Sequence, residues 1–212
     1  MTAMLNKHIS AFHYMKQAVL YTKLEGKKVQ CRACNHYCMI AEGKTGICGV
    51  RKNAGGELYL LVYGRPIASH IDPIEKKPLF HFLPGSKIFS IGTVGCNFGC
   101  LFCQNFDISQ SLKEGNLNVV GEDLPPEQIV EYCKKNKIPS IAYTYNEPTI
   151  FFEYAYDTAM LAKKSGIRNV FVTNGYMSKE ALKKLEECAD ALNIDLKGFT
   201  EEFYSKSCKA RL

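Results

Sequence analysis

From residue 87 onward, short apolar runs alternate with helix-length amphipathic stretches, and this alternation restricts the fold more than any other feature of the chain. Ile88-Phe89-Ser90-Ile91-Gly92, Ile141-Ala142-Tyr143-Thr144-Tyr145, Asn169-Val170-Phe171-Val172-Thr173 and Ala191-Leu192-Asn193-Ile194-Asp195-Leu196 read as strands. Between them lie a helix opened by Pro125-Pro126 and running to about Lys137, and a longer one from about Thr149 to Ser165, closed by Gly166. Ser178 caps a third, with Ala181, Leu182 and Leu185 inward. Strands separated by helical crossovers pair in parallel. The expectation is an α/β chain whose residues 87–212 form a partial barrel of about four parallel strands.

In such folds the chemistry gathers at the carboxyl ends of the strands. Cys96, Cys100 and Cys103 follow the first strand, in the run Gly95-Cys96-Asn97-Phe98-Gly99-Cys100-Leu101-Phe102-Cys103-Gln104-Asn105. Asn146-Glu147-Pro148 follows the second, Thr173-Asn174-Gly175 the third, and Asp195 with Lys197 closes the fourth. Each has a bland alternative: Asn-Gly is a common turn, and a glutamate before a helix is a cap. Four in succession point to a site. An iron–sulfur cube takes four thiolates, so three on one short loop leave one iron open to a non-protein ligand. Zinc is the rival for this loop, with His81 or Cys133 as a fourth ligand from elsewhere.

Cys31, Cys34, Cys38 and Cys48 form a second group, a complete ligand set for tetrahedral zinc or a second iron–sulfur cluster. His36 is an alternative ligand there, and Cys48-Gly49 resembles a metal knuckle. The spacing departs from ferredoxin-type Cys-x2-Cys-x2-Cys, which favours zinc. Seven of ten cysteines lie in these two groups, and no signal peptide is apparent, so metal binding rather than a disulfide framework is expected in a cytoplasmic protein. Cys133 and Cys188 fall on apolar helix faces, and Cys208 has no assigned role. No apolar run approaches the ~18 residues of a membrane span. The net charge of +6 is modest and its lysine pairs fall on helix faces, so neither membrane nor nucleic acid is an expected partner. Residues 1–86 are expected to form a small cysteine-rich N-terminal subdomain. Its parts are a helix over 8–24 through Ile9, Phe12, Met15 and Val19, the four-cysteine group, a strand at Leu58–Tyr63, and an extended connector over 64–86.

With its three-cysteine loop and strand ends, the stretch 87–198 resembles the radical S-adenosylmethionine (SAM) fold, and within it the pyruvate formate-lyase activating enzymes. Three further runs are distinctive: Cys31-Arg32-Ala33-Cys34-Asn35-His36-Tyr37-Cys38 with Thr45-Gly46-Ile47-Cys48-Gly49-Val50-Arg51, Pro73-Ile74-Glu75-Lys76-Lys77-Pro78-Leu79-Phe80-His81-Phe82, and Tyr143-Thr144-Tyr145-Asn146-Glu147-Pro148-Thr149. On these the whole chain is similar to the radical SAM member of the AmmeMemoRadiSam system.

The resemblance implies that Cys96, Cys100 and Cys103 ligate a [4Fe-4S] cluster whose open iron chelates SAM. An electron from the cluster would then release a 5′-deoxyadenosyl radical that abstracts hydrogen from a substrate. It further implies adenine against the backbone at Phe102, the SAM amino group by Asn146 and Glu147, the ribose by Asn174 and Gly175, and SAM or a substrate backbone by Asp195 and Lys197. Expected partners are an electron donor such as flavodoxin or ferredoxin, and a protein substrate bearing a glycine. The chain departs from its relatives in having Tyr145-Asn146-Glu147 for Gly-Gly-Glu, Val172 for an aspartate, and Gln104 for a histidine. Relatives build six strands and this chain four, so a barrel cut short, with an aggregation-prone open edge, is expected. The alternative function is a zinc-binding scaffold without catalysis.

Overall fold

The structure is a computed structural model that describes residues 15–112 and 119–212. Among these, six short strands fill the N-terminal third: β1 (Lys16–Gln17), β2 (Tyr21–Lys23), β3 (Val29–Cys31), β4 (Met39–Ile40), β5 (Arg51–Ala54) and β6 (Glu57–Leu60). They make two antiparallel three-stranded sheets, ordered β1-β6-β5 and β2-β3-β4. Beyond them β7 (Ala68–Pro73), β8 (Lys87–Gly92), β9 (Ser140–Tyr143), β10 (Arg168–Thr173) and β11 (Ala191–Ile194) form one sheet in the order β11-β10-β9-β8-β7. β8 to β11 run parallel, as the crossovers require, and β7 lies antiparallel on β8, with Ala68 opposite Gly92 and Pro73 opposite Lys87.

Residues in these strands alternate between two apolar environments. Phe89, Ile91, Ile141, Tyr143 and Phe171 face the helices α2 (Pro126–Lys135) and α3 (Phe152–Lys164), which bury Ile129, Val130, Cys133, Ala155, Ala159 and Ala162 against them. Ile88, Ala142 and Val170 face the other way, where Ile74 and, less deeply buried, Leu79, Phe82 and Leu83 cover them. A sheet covered on both faces explains strands that read as near-continuous apolar runs. The remaining helices are α1 (Phe106–Ser109), α4 (Lys179–Leu185) and α5 (Glu201–Phe203), the last continuing as a π-turn over Tyr204–Cys208. None of the described helices is long and apolar enough to cross a membrane.

The structure revises three expectations. Residues 15–24 form β1 and β2 instead of a helix, while 8–14 lie outside the described residues. In the bend between β1 and β2, Ala18 and Leu20 are buried while Val19 between them is exposed, which is not a helical stripe. The stretch read as a connector supplies β7, an edge strand that ends in Pro73, where a missing N–H is tolerated. In α4, Ser178 caps as expected by accepting from Ala181 N at 3.0 Å, but only Ala181 and Leu185 turn inward and Leu182 is exposed.

Candidate active site at the strand ends

β8 delivers the three-cysteine loop through two glycines that no larger residue replaces. A Cβ on Gly92 would lie 2.6 Å from Thr144 O, and one on Gly95, at φ +91°, 2.5 Å from Cys48 O. Cys103 N donates to Cys100 O at 3.2 Å, closing a turn that brings Cys96, Cys100 and Cys103 to one side. The C-terminal segment supports this turn from behind: Gly99 N donates to Cys208 O at 2.8 Å and Leu101 N to Ser207 O at 2.9 Å. Cys208, buried beside Cys100, Phe98 and Tyr204, is a residue that sequence reasoning left without a role. Burial, then the neighbouring Cys208 thiol, pushes the Cys100 thiol up to about 12.

The other strand ends converge on the same place. A cavity of about 590 Å³ is lined by the three loop cysteines with Phe98, Phe102, Asn146, Glu147, Thr173, Asn174, Asp195 and Lys197. Asn146 anchors the loop, donating through Nδ2 to Gly95 O at 2.8 Å and accepting through Oδ1 from Thr93 N at 3.2 Å. Glu147 joins two strand ends: Oε1 accepts from Thr149 N and Oγ1 and from Thr173 Oγ1, and Oε2 from Asn174 N at 2.7 Å. Its burial raises its pKa, while these donors oppose the rise. It is therefore a cap as well as a wall. Asn174 Nδ2 donates to Asn97 Oδ1, within the cysteine loop, at 2.8 Å. Gly175, at φ +72°, packs under Ile194 and does not line the cavity. Lys197 Nζ lies 2.8 Å from Asp195 Oδ2; burial works to lower its pKa, but the bond and charge of Asp195 and the Cys100 and Cys96 thiols raise it.

The sequence profile of the Radical SAM superfamily matches residues 90–211, the whole strand-end region just described. The chain belongs to the radical SAM superfamily. It is 46% identical over 198 residues to an uncharacterized protein of Methanocaldococcus jannaschii, covering 93% of this chain and 58% of that protein. Over 118 residues, 55% of this chain and 42% of the relative, it is 33% identical to a protein of the same organism named "Putative glycyl-radical enzyme activating enzyme". A further uncharacterized protein from that organism is 25% identical over 213 residues, 98% of this chain and 56% of the relative. The chain thus spans about half the length of the curated relatives it matches.

The superfamily's chemistry needs a cluster and SAM, and the residues present fit both: three thiols on one cavity wall, with room and polar groups beside them. Among the described residues no group of three or more His, Cys, Asp and Glu side chains is arranged to hold a single metal ion. Sequence reasoning also missed the contribution of the β7 connector. Lys76, Lys77 and Tyr145 line the same cavity. Asp72 accepts from Lys77 Nζ at 2.6 Å, Lys76 Nζ at 2.9 Å and Tyr145 OH at 2.8 Å. The Lys76-Lys77 pair stood out in the sequence as part of a distinctive run; its partner Asp72 lies four and five residues earlier, just outside that run. Cys31, Cys34, Cys38 and Cys48, finally, surround a separate enclosed cavity behind the loop, with Arg51 and Asn97 on its wall.

Proposed function

We propose that this chain is the catalytic portion of a radical SAM enzyme, with Cys96, Cys100 and Cys103 holding a [4Fe-4S] cluster and SAM lying in the adjoining cavity. Three thiols on one loop, opening onto a cavity lined by three further strand ends, carry this reading. When bound, the cluster and SAM supply reductive cleavage of a carbon–sulfur bond and a 5′-deoxyadenosyl radical that abstracts hydrogen. The protein's part is placement. Asn146 and Asn174 fix the loop to two strand ends, and Asp195 with Lys197 offers opposite charges at 2.8 Å, suited to the zwitterionic methionyl end of SAM. Half-exposed Phe102 presents an apolar surface and backbone for the adenine, and Asn174, with Gly175 turning the chain after it, lies on the ribose side. Phe98 and Tyr204 close the loop's rear against water.

A protein glycine is the substrate class suggested by the relative named for glycyl-radical activation; a flavodoxin or ferredoxin is the proposed electron donor. The AmmeMemoRadiSam resemblance points instead to a system with no defined substrate, and gene neighbourhood separates the two. Residues 1–86 act as a cysteine-rich subdomain that lends β7 to the sheet of a partial barrel at 87–212, in a cytoplasmic protein whose described cysteines form no disulfide. Anaerobic reconstitution of the chain with Cys31, Cys34, Cys38 and Cys48 replaced by alanine is expected to load about four irons. SAM should change the EPR signal of the reduced cluster, and a further Cys100→Ala should abolish the iron. Zinc in place of iron, with no response to SAM, favours the scaffold reading instead.

A further inference from the structure

The four cysteines of the N-terminal subdomain line one cavity although they come from a strand end and two separate turns. Cys31 ends β3, Cys34 and Cys38 sit in a turn closed by Cys31 N to Cys38 O at 3.0 Å and Tyr37 N to Cys34 O at 3.1 Å, and Cys48 follows Gly46 and precedes Gly49. They surround a cavity of about 10 Å³, room for one water-sized body. Arg51, 1% exposed, shares its wall. The guanidinium is held by Glu153, Nη2 to Oε2 at 2.5 Å, and by Ile150 O at 3.0 Å. The guanidinium is already paired with that carboxylate, and its remaining positive field favours the thiolate form of Cys31 and Cys48, against their burial.

A second observation points into the same cavity. Asn97 lies between Cys96 and Cys100, lines the four-cysteine cavity, and is 1% exposed. Its Oδ1 accepts from Asn174 and its carbonyl is 2.9 Å from His36 Nε2, yet its Nδ2 is buried with no partner among the described residues. A thiolate on that wall is the acceptor this amide lacks. His36 itself sits between Cys34 and Cys38, its ring 4.9 Å from that of Tyr176, which in turn lies 5.2 Å from Phe98 of the loop.

We propose that Cys31, Cys34, Cys38 and Cys48 form a tetrathiolate centre for a thiophilic metal, and that its loading fixes the rear of the three-cysteine loop through His36 and Asn97. Zinc and an iron–sulfur cluster share this ligand chemistry. The thiols are not arranged to hold a single ion as they stand, so binding draws the turns around Cys34, Cys38 and Cys48 inward. The His36 ring moves with them, because it lies within the ligand-bearing turn. His36 is a positioning residue: Nε2–H donates to the Asn97 carbonyl and holds the peptide between two loop cysteines. The second half of the proposal rests on the reading of that loop as the cluster site; the first half does not.

The chain carrying Cys96→Ala, Cys100→Ala and Cys103→Ala isolates the centre. Purified from medium containing zinc and iron, it should retain one zinc or about four irons per chain, and adding Cys34→Ala and Cys48→Ala should remove them. If that quintuple variant does not fold, a chelator added to the triple variant should strip the metal and expose Cys34 and Cys48 to alkylation, located by peptide mapping. Absence of both metals from the triple variant overturns the centre, whatever the other loop holds. With the loop cysteines intact, His36→Ala should keep the centre's metal but speed iron release from the loop to a chelator about fivefold, as loss of one hydrogen bond implies. An unchanged release rate overturns the positioning role.

Discussion

Tyr145 adopts φ +68°, a left-handed conformation that costs a non-glycine residue about 1–3 kcal/mol. The family resemblance led to the expectation of a glycine here, the residue that takes this conformation without strain. The compensation comes from the connector: Tyr145 OH donates to Asp72 Oδ2 at 2.8 Å, and Lys77 Nζ sits 4.9 Å from the ring centre. Burial works to raise the Asp72 pKa, but the hydrogen bonds from Lys77, Lys76 and Tyr145 hold its carboxyl well below the usual carboxylate range. A depressed folded pKa means stability that is present above the unfolded value, about 3.9, and lost as pH falls below it. Asp72→Asn should therefore cost roughly 3 kcal/mol at pH 7, because Lys77 is left buried without its carboxylate. The variant should also lose less than the parent between pH 5 and pH 2. Urea denaturation at both pH values checks this; equal losses in parent and variant would show that Asp72 is not the group responsible. The strand-end residues were legible because polar groups interrupted apolar runs. Asp72 was not, since its partner Tyr145 lies 73 positions away and nothing in either neighbourhood announces the pair.

Elements with a crossover helix were legible almost to their ends, because burial on both faces makes β8, β9 and β10 largely apolar. Expected 141–145 became Ser140–Tyr143, and expected 169–173 became Arg168–Thr173. The short antiparallel strands were not legible. β1 and β2 have two and three residues, too few for a period to declare itself, and Met15 and Val19 happen to fall at helical spacing. What holds these strands in place is long-range: Val19 N donates to Glu153 Oε1 at 3.0 Å, and the same carboxylate pairs with Arg51 of β5. α3 thus fastens the N-terminal sheets through one buried side chain. Glu153→Gln should lower stability by about 3–5 kcal/mol, since it strands the buried guanidinium, whereas Arg51→Met combined with Glu153→Leu should recover much of that loss. A Glu153→Gln chain within about 0.5 kcal/mol of the parent would mean that the ion pair does not fasten the two parts.

At the scale of the whole molecule, both cysteine groups and three strand ends meet around one loop, while the far side of the sheet stays open. β11 pairs only with β10 among the described strands, and its outer edge carries unpaired backbone groups. Ile194 is 62% exposed and Leu196 58%, with Phe199 more exposed still, an apolar patch along an edge that bears no charge until Asp195 and Lys197 turn toward the cavity. Such an edge templates pairing with a second sheet. The open edge was foreseeable from the strand count, but the patch was not, because Leu192 and Ile194 read in sequence as core residues of a buried strand. The 212-residue chain should therefore associate with itself as concentration rises, even when its cysteines are kept reduced. Ile194→Lys puts a charge on the exposed edge without touching a cavity-lining residue, and should shift the population to monomer. Sedimentation velocity over a tenfold range of concentration compares the two. If the parent sediments as a monomer throughout, or the lysine variant associates as strongly, the β11 edge is not the surface through which this chain meets others.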